Sequence, residues 1–100
     1  MYRFTRTATI ANAAYIPQAM NLAMDLCGYI NKTHNLNVKA GMEMYGHLNI
    51  HWQFETDSLD KISAINTKLL QDKGYFALIE KGKDYWVQGS LKDRIVNFMG

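Results

Sequence analysis

Residues 36–55, LNVKAGMEMYGHLNIHWQFE, alternate between apolar and polar side chains on both sides of Gly46. Such alternation is typical of β-strands that bury one face only. Two strands joined by a tight loop place directly opposed residues on the same face of the sheet. A loop of residues 45–47 satisfies this rule, because it opposes Met44 to Leu48. The sequence therefore predicts a β-hairpin with one apolar and one polar face.

Two other stretches have the spacing of amphipathic helices. The first begins after Asn12, a suitable N-cap, and runs to about residue 33, with a stripe of Ile16, Ala19, Met20, Ala23, Cys27 and Ile30. The second begins at Asp57 or Ser58 and stops at Gly74, with a stripe of Leu59, Ile62, Ile65 and Leu69. The methionines are predicted to fill the core or to form a pliable ligand wall: Met20, Met24, Met42 and Met44.

The two ends of the chain complete the pattern. Residues 2–10 alternate as a strand, with Arg6 the one misfit on the apolar side, residues 75–86 predict a further short helix, and the ending LKDRIVNFMG predicts a last strand. The order β-α-β-β-α-(α)-β, with right-handed crossovers, gives a four-stranded antiparallel sheet with both main helices on one face. We therefore expect one α+β, ferredoxin-like domain over residues 1–100.

The face of the sheet away from the helices is unusually polar for a strand surface. Two histidines are uncommon on a solvent-facing sheet, and the hairpin register places Gly41 across from His51, which opens a hollow beside the imidazole. We expect this uncovered face to carry Arg3, Thr5, Thr7, Lys39, Gly41, Glu43, Tyr45, His47, Asn49, His51 and Gln53.

Charge and composition exclude several classes of function. The net charge is +2, and the 11 basic residues are spread along the chain, which does not indicate a nucleic-acid or membrane-surface site. No apolar run approaches the roughly 18 residues of a membrane span, and the threonines near the N-terminus argue against an export signal. The single cysteine, Cys27, has no disulfide partner and is expected to be buried, so we expect a cytoplasmic protein.

The predicted order, together with the ending DKGYFALIEKGKDYWVQGSLKDRI, resembles the dimeric α/β-barrel superfamily and its small bacterial members. The resemblance implies that two ferredoxin-like subunits join sheet to sheet and enclose a cavity between their uncovered faces. It also implies a range of activities: cofactor-independent monooxygenases, lactone isomerases, haem enzymes, ligand sensors and members with no known role. No motif in the chain selects among them.

The uncovered face supplies the candidate site. His51 is the candidate general base, because an imidazole that titrates near neutral pH suits proton abstraction from a small organic acid or phenol. On a strand, His47 and His51 lie about 13 Å apart, from about 3.3 Å per residue, so they do not share one metal ion. The remaining metal alternative is an ion shared across a dimer axis or one also bound by Glu43, and neither a metal site nor another cofactor is predicted. The candidate ligand-binding residues are His47, Asn49, Glu43, Tyr45, Gly41 and Arg3.

Three classes of function remain open. The first is a homodimer that binds a small organic molecule in a polar cavity between its sheets. The second is an oxygenase, isomerase or decarboxylase without a cofactor, acting on a phenolic or polyketide-like substrate, with His51 as base and Asn49 or Arg3 steadying negative charge. The third is a structural dimer around a solvent-filled barrel. An RNA-recognition module shares the element order, but both aromatic residues of HLNIHWQFE lie on the helix-facing parity.

Overall fold

The computed structural model describes residues 1–43 and 45–99. In chain order the elements are β1 (Tyr2–Thr9), a 3-10 turn (Ala13–Tyr15), α1 (Ile16–His34), β2 (Lys39–Met42), β3 (Asn49–Thr56), α2 (Leu59–Leu70), α3 (Lys73–Lys81) and β4 (Lys92–Asn97). The strands form one antiparallel sheet in the order β2-β3-β1-β4. This is the α+β, ferredoxin-like arrangement that the sequence predicts.

The hairpin between β2 and β3 has the predicted register. Gly41 lies opposite His51, and the N–H of Glu43 continues the pairing by donating to the carbonyl of Asn49 at 3.1 Å. Gly46, in the loop between the strands, has a φ of 97°, a backbone conformation that glycine adopts without steric cost. The polar residues of the hairpin therefore share one face, as the alternation predicts.

The opposite face packs against the helices. The register of β1 against β3 pairs Phe4 with Phe54 and Ala8 with Ile50, and all four side chains are buried. From α1 the core receives Ala19, Leu22, Ala23, Leu26, Cys27 and Ile30. The prediction that Asn12 caps the first helix is corrected: Asn12 caps the 3-10 turn, where its side chain accepts a hydrogen bond from the N–H of Ala14, and α1 begins only at Ile16, after Tyr15.

The interpretation of the methionines as core filler is wrong for α1. Met20 is 46% exposed and Met24 is 64% exposed, because the buried arc of the helix is centred on Leu22 and Leu26. Met42 is half-buried at the end of β2. Met44, which the sequence places opposite Leu48, lies outside the described residues.

Three details of the second half of the chain also differ from expectation. Leu59 is 47% exposed, so the buried stripe of α2 starts one turn later than predicted. The predicted helix over residues 75–86 ends at Lys81, with Gly82 as its C-cap. The prediction that Gly74 stops a helix is wrong, because Gly74 lies inside α3, where a Cβ would overlap the hydroxyl of Tyr29.

A half-buried polar cluster ties α1 to α3. The carboxylate of Asp72, the N-cap of α3, accepts hydrogen bonds from the Tyr29 hydroxyl at 2.5 Å and from the N–H of Tyr75 at 3.1 Å. Its second oxygen lies 2.8 Å from Nε2 of His34 in the last turn of α1. The hydrogen bond from Tyr29, and then that from His34, lower the pKa of Asp72 to about 2.

This cluster predicts how acid affects stability. Because the pKa of Asp72 is depressed in the folded chain, its stabilising effect is present above the ordinary pKa of 3.8 and is lost as the pH falls towards about 2. We expect Asp72→Asn to lower the free energy of unfolding at pH 7 and to have a much smaller effect at pH 2. Urea unfolding at both pH values, followed by circular dichroism, measures this difference.

The control is Asp57→Asn, because Asp57 pairs with Lys61 at an exposed helix start, where both side chains are mostly solvated. Exposed pairs of this kind contribute little to stability. A loss of stability at pH 7 that is equal in the two variants would show that the Asp72 cluster does not tie the helices together.

Candidate functional site

On the uncovered face, three of the predicted site residues belong to one hydrogen-bond network. The carboxylate oxygen Oε1 of Glu43 accepts from Nδ2 of Asn49 at 3.0 Å and lies 3.1 Å from Nε2 of His51. The Thr9 hydroxyl donates to the side-chain oxygen Oδ1 of Asn49 at 2.5 Å, and the Thr7 hydroxyl oxygen lies 2.8 Å from Nδ1 of His51. This network runs from β1 across β3 to the end of β2 and joins side chains that the register places side by side.

Within this network both ring nitrogens of His51 have hydrogen-bond partners. Its Nε2 contacts the Glu43 carboxylate, which can only accept a hydrogen bond, and its Nδ1 contacts the Thr7 hydroxyl, which can either donate or accept. The hydrogen bonds from Asn49 and then from His51 lower the pKa of Glu43, which therefore stays a carboxylate at neutral pH. A general base needs a free nitrogen that faces the substrate. The role of His51 as a base stays a prediction, and it would require Thr7 to turn away.

The side chains of the other predicted site residues do not take part in this network. Tyr45 is 91% exposed at the hairpin loop, and the His47 side chain is also exposed. Arg3 pairs with Glu55, its direct neighbour across the strands, at 2.8 Å. Gly41 is exposed, and apart from its chain neighbours no atom lies within 4 Å of the place where a Cβ would be.

A cavity of about 230 Å³ lies on the opposite side of the sheet, between the strands and the helices. Its wall is almost entirely apolar and comes from β1, β3, all three helices and the loop that precedes β4. The loop is held to β1 because Val87 donates to the Thr9 carbonyl at 2.8 Å and the Ser90 hydroxyl accepts from the Thr9 N–H at 3.1 Å. The wall includes Phe4, Ala8, Leu22, Leu26, Trp52, Phe54, Ile65, Leu69, Ile79 and Trp86.

Two polar side chains, Arg6 and Tyr75, meet at one part of this apolar wall. Arg6 lines the cavity, and its Nε and Nη2 donate to the two carboxylate oxygens of Asp93 at 2.7 and 2.8 Å. The remaining nitrogen, Nη1, lies 3.4 Å from the hydroxyl of Tyr75, which also lines the cavity. The contact with Asp93 raises the pKa of Arg6, so the guanidinium is always charged. Asn66 of α2 adds a carboxamide to the same wall.

The sequence interpretation did not find this second site, although one signal was visible. Arg6 is the single charged residue in the apolar parity of β1. An arginine on a helix-facing position needs a partner, because an unpaired buried charge is costly. The position of that partner, Asp93, follows only from the pairing of β1 with β4, where Arg6 and Asp93 are directly opposed.

Other chemistry receives less support from the described residues. Cys27 is buried, and burial raises the pKa of its thiol, so it is a small hydrophobic residue and a poor nucleophile. Residues 1–43 and 45–99 contain no group of three histidine, cysteine or acidic side chains placed to hold a metal ion. Within those ranges, none of the helices has the length and hydropathy needed to cross a membrane.

Known structures share this fold. A NIPSNAP family protein with unknown function from Agrobacterium tumefaciens superposes with a TM-score of 0.78 at 20% identity, over 96% of this chain and 86% of that one. An uncharacterised NIPSNAP domain protein from Burkholderia xenovorans superposes with a TM-score of 0.78 at 17% identity, over 99% of this chain and 95% of that one. An antibiotic biosynthesis monooxygenase superposes with a TM-score of 0.74 at 9% identity, over 100% of both chains.

These similarities confirm at the level of fold the resemblance that the sequence suggests, and at such low identity they show the fold alone. No protein-family model and no curated protein sequence matches the chain.

The cavity predicts an unusual response to a larger side chain. Ala8 is buried and lines the cavity, so in Ala8→Leu the added carbons would fill empty space. At about 0.8 kcal/mol per buried CH₂, we expect the free energy of unfolding to rise by up to about 2 kcal/mol. Urea unfolding of the purified variant measures the change.

The matched control is Ala19→Leu, because Ala19 is also fully buried but packs in a part of the core away from the cavity. Overpacking at such a position costs about 1–3 kcal/mol. If both variants were destabilised equally, the space beside Ala8 would not be a cavity in solution.

Proposed function

We propose that this chain is a small-molecule-binding protein whose ligand occupies the cavity between the sheet and the helices. The observation that carries the proposal is an apolar cavity whose wall includes three polar side chains, Arg6, Tyr75 and Asn66, of which Arg6 and Tyr75 contact each other. Such a combination is typical of ligand sites, where apolar walls provide affinity and a few polar groups fix orientation.

The size of the cavity limits the ligand. Its volume of about 230 Å³ is about half as large again as an apolar cavity of about 150 Å³ that binds benzene. It is also below the roughly 300–1,000 Å³ of sites for drug-sized molecules. The aromatic side chains of Trp52 and Trp86 form part of the wall and pack edge to face at 5.6 Å. We therefore expect a compact ligand of one or two rings.

The polar face supports ligand binding less well than the core cavity does. His51, Glu43 and Asn49 bond one another, as Arg6 and Tyr75 do, but of these five residues it is Arg6 and Tyr75 that line the apolar cavity. Binding at His51 stays a prediction of the sequence. Binding in the core cavity and binding on the polar face predict opposite effects of the variants Ala8→Leu and His51→Ala.

We expect 2-naphthol, in excess over its dissociation constant, to raise the melting temperature of the protein by several degrees, because a ligand that binds only the folded state stabilises it. Ala8→Leu reduces the space in the cavity and should abolish the shift. His51→Ala lies on the other face of the sheet and should leave the shift unchanged. Differential scanning fluorimetry of the three proteins measures this.

The reverse pattern, with the shift lost in His51→Ala and retained in Ala8→Leu, would place the ligand on the polar face. The absence of a shift with any one- or two-ring aromatic compound would favour a structural role and reject the proposal.

We also propose that two copies associate through their uncovered sheet faces, and that the protein acts in the cytoplasm. The hydrogen bonds among Glu43, Asn49, His51 and the two threonines support the dimer, because polar groups that satisfy one another lose less on burial. At one edge of the same face the apolar side chains of Val96 and Phe98 are 38% and 41% exposed. A partner copy would cover them.

Light scattering should therefore give twice the chain mass of 11.5 kDa at micromolar concentration. We expect Val96→Glu to weaken association at least about tenfold, because it introduces a charge at the edge of the proposed interface. The control is Leu70→Glu, since Leu70 is 73% exposed on α2, away from the sheet face. A monomer at all concentrations would reject this part of the proposal.

A second candidate function is a cofactor-independent oxygenase, isomerase or decarboxylase that acts on a phenolic or polyketide-like compound. The observation that favours it is the pair of donors, Arg6 Nη1 and the Tyr75 hydroxyl, on an apolar wall. Donors in such surroundings stabilise an oxyanion that forms on a bound phenol or enol. Mass spectrometry of a phenol recovered after incubation with the protein separates the two functions, because a binder returns the compound unchanged.

A further inference from the structure

The electrostatics of the core cavity depend on a single ion pair. Among the cavity-lining residues within 1–43 and 45–99, Arg6 is the only one with a formal charge. Its partner Asp93 belongs to the edge strand β4 and does not line the cavity. The carboxylate therefore neutralises Arg6 from outside the space that a ligand would fill.

The geometry of the pair also determines which hydrogen-bond donors of Arg6 remain available to a ligand. Asp93 takes Nε and Nη2 of Arg6 in a bidentate contact, and Nη1 is directed to Tyr75 on the cavity wall. Nη1 carries two hydrogens, of which the Tyr75 oxygen accepts at most one, and the Tyr75 hydroxyl keeps its own hydrogen to donate. A ligand thus meets hydrogen-bond donors without a net positive charge.

We infer that Asp93 sets the charge preference of the cavity, so that the site selects a neutral ligand with an acceptor oxygen, such as a carbonyl or hydroxyl, over a carboxylate. The inference rests on the proposed binding of a small molecule in this cavity. A carboxylate that entered would lose its hydration in apolar surroundings, and the charge that would compensate it is already matched by Asp93. A neutral oxygen loses far less and gains the same donors.

The alternative explanation is that the pair of Arg6 and Asp93 only holds β4 to β1. The side chains are 22% and 43% exposed, and ion pairs near the surface contribute modestly to stability. A purely structural pair would change stability when it is broken and would leave the relative affinity for neutral and acidic ligands unchanged. The ratio of the two affinities therefore separates the explanations.

The experiment uses two probes of matched shape, 2-naphthalenemethanol and 2-naphthoate, titrated into the whole protein at pH 7 by isothermal calorimetry. We expect the unsubstituted protein to bind the alcohol at least about tenfold more tightly than the acid. Asp93→Asn keeps the shape and removes the charge, which leaves Arg6 uncompensated. Since a hydrogen bond to a charged group contributes about 1.5–3 kcal/mol, affinity for the acid should rise about tenfold to a hundredfold while affinity for the alcohol changes little.

Two control variants isolate the effect. Glu55→Gln removes the same charge from the cross-strand pair with Arg3 on the other face, so it should leave the preference unchanged. The double variant Arg6→Met with Asp93→Asn should lose the gain in acid affinity. If Asp93→Asn does not fold, as judged by circular dichroism, Asp93→Ser provides the same test.

Each outcome decides the inference. Equal affinity of the unsubstituted protein for both probes, or an unchanged ratio in Asp93→Asn, overturns the role of Asp93 while the binding function stands. A gain in acid affinity that also appears in Glu55→Gln would be an effect of total charge and would likewise overturn it. If neither probe binds any of the proteins, the proposed binding function itself fails, and the inference fails with it.

Discussion

The register of β1 against β3 is the constraint on which the rest of the structure depends. These are the two central strands, and a slip of one residue would turn every side chain to the opposite face. The register that places Phe4 beside Phe54 in the core also places Thr7 beside His51 on the uncovered face. One alignment of two strands thus builds both the apolar floor of the cavity and the polar network on the other side of the sheet.

Two polar systems lie on opposite faces of this sheet and differ in what they leave free. On the uncovered face, Glu43, Asn49 and His51 satisfy one another, which suits a surface that is to be buried. On the helix face, the contact between Arg6 and Asp93 leaves donors directed at the cavity wall. Self-satisfied groups suit an interface and free donors suit a ligand, so the proposed dimer and the proposed binding site occupy different faces.

The cavity exists because the helices and the loop enclose the apolar face without filling it. The small side chain of Ala8 lies on β1 in this wall, and the loop from Val87 to Leu91 closes one part of it. Protein interiors are usually packed without voids of this size, since each void forfeits dispersion contacts. An apolar hollow that the helices and the loop leave unfilled is therefore a feature expected of a ligand-binding protein.

The sequence by itself determined the element order, the sheet topology, the hairpin register and the polar character of the uncovered face, because period two and period 3.6 are local properties of the chain. It also marked Arg6 as a misfit. Only the tertiary structure decided that Asp93, on a strand distant in sequence, compensates Arg6, that His51 has partners on both nitrogens, and that open space lies on the helix face. Alternation assigns a residue to a face, but hydrogen-bond partners and empty volume depend on how separate elements meet in three dimensions.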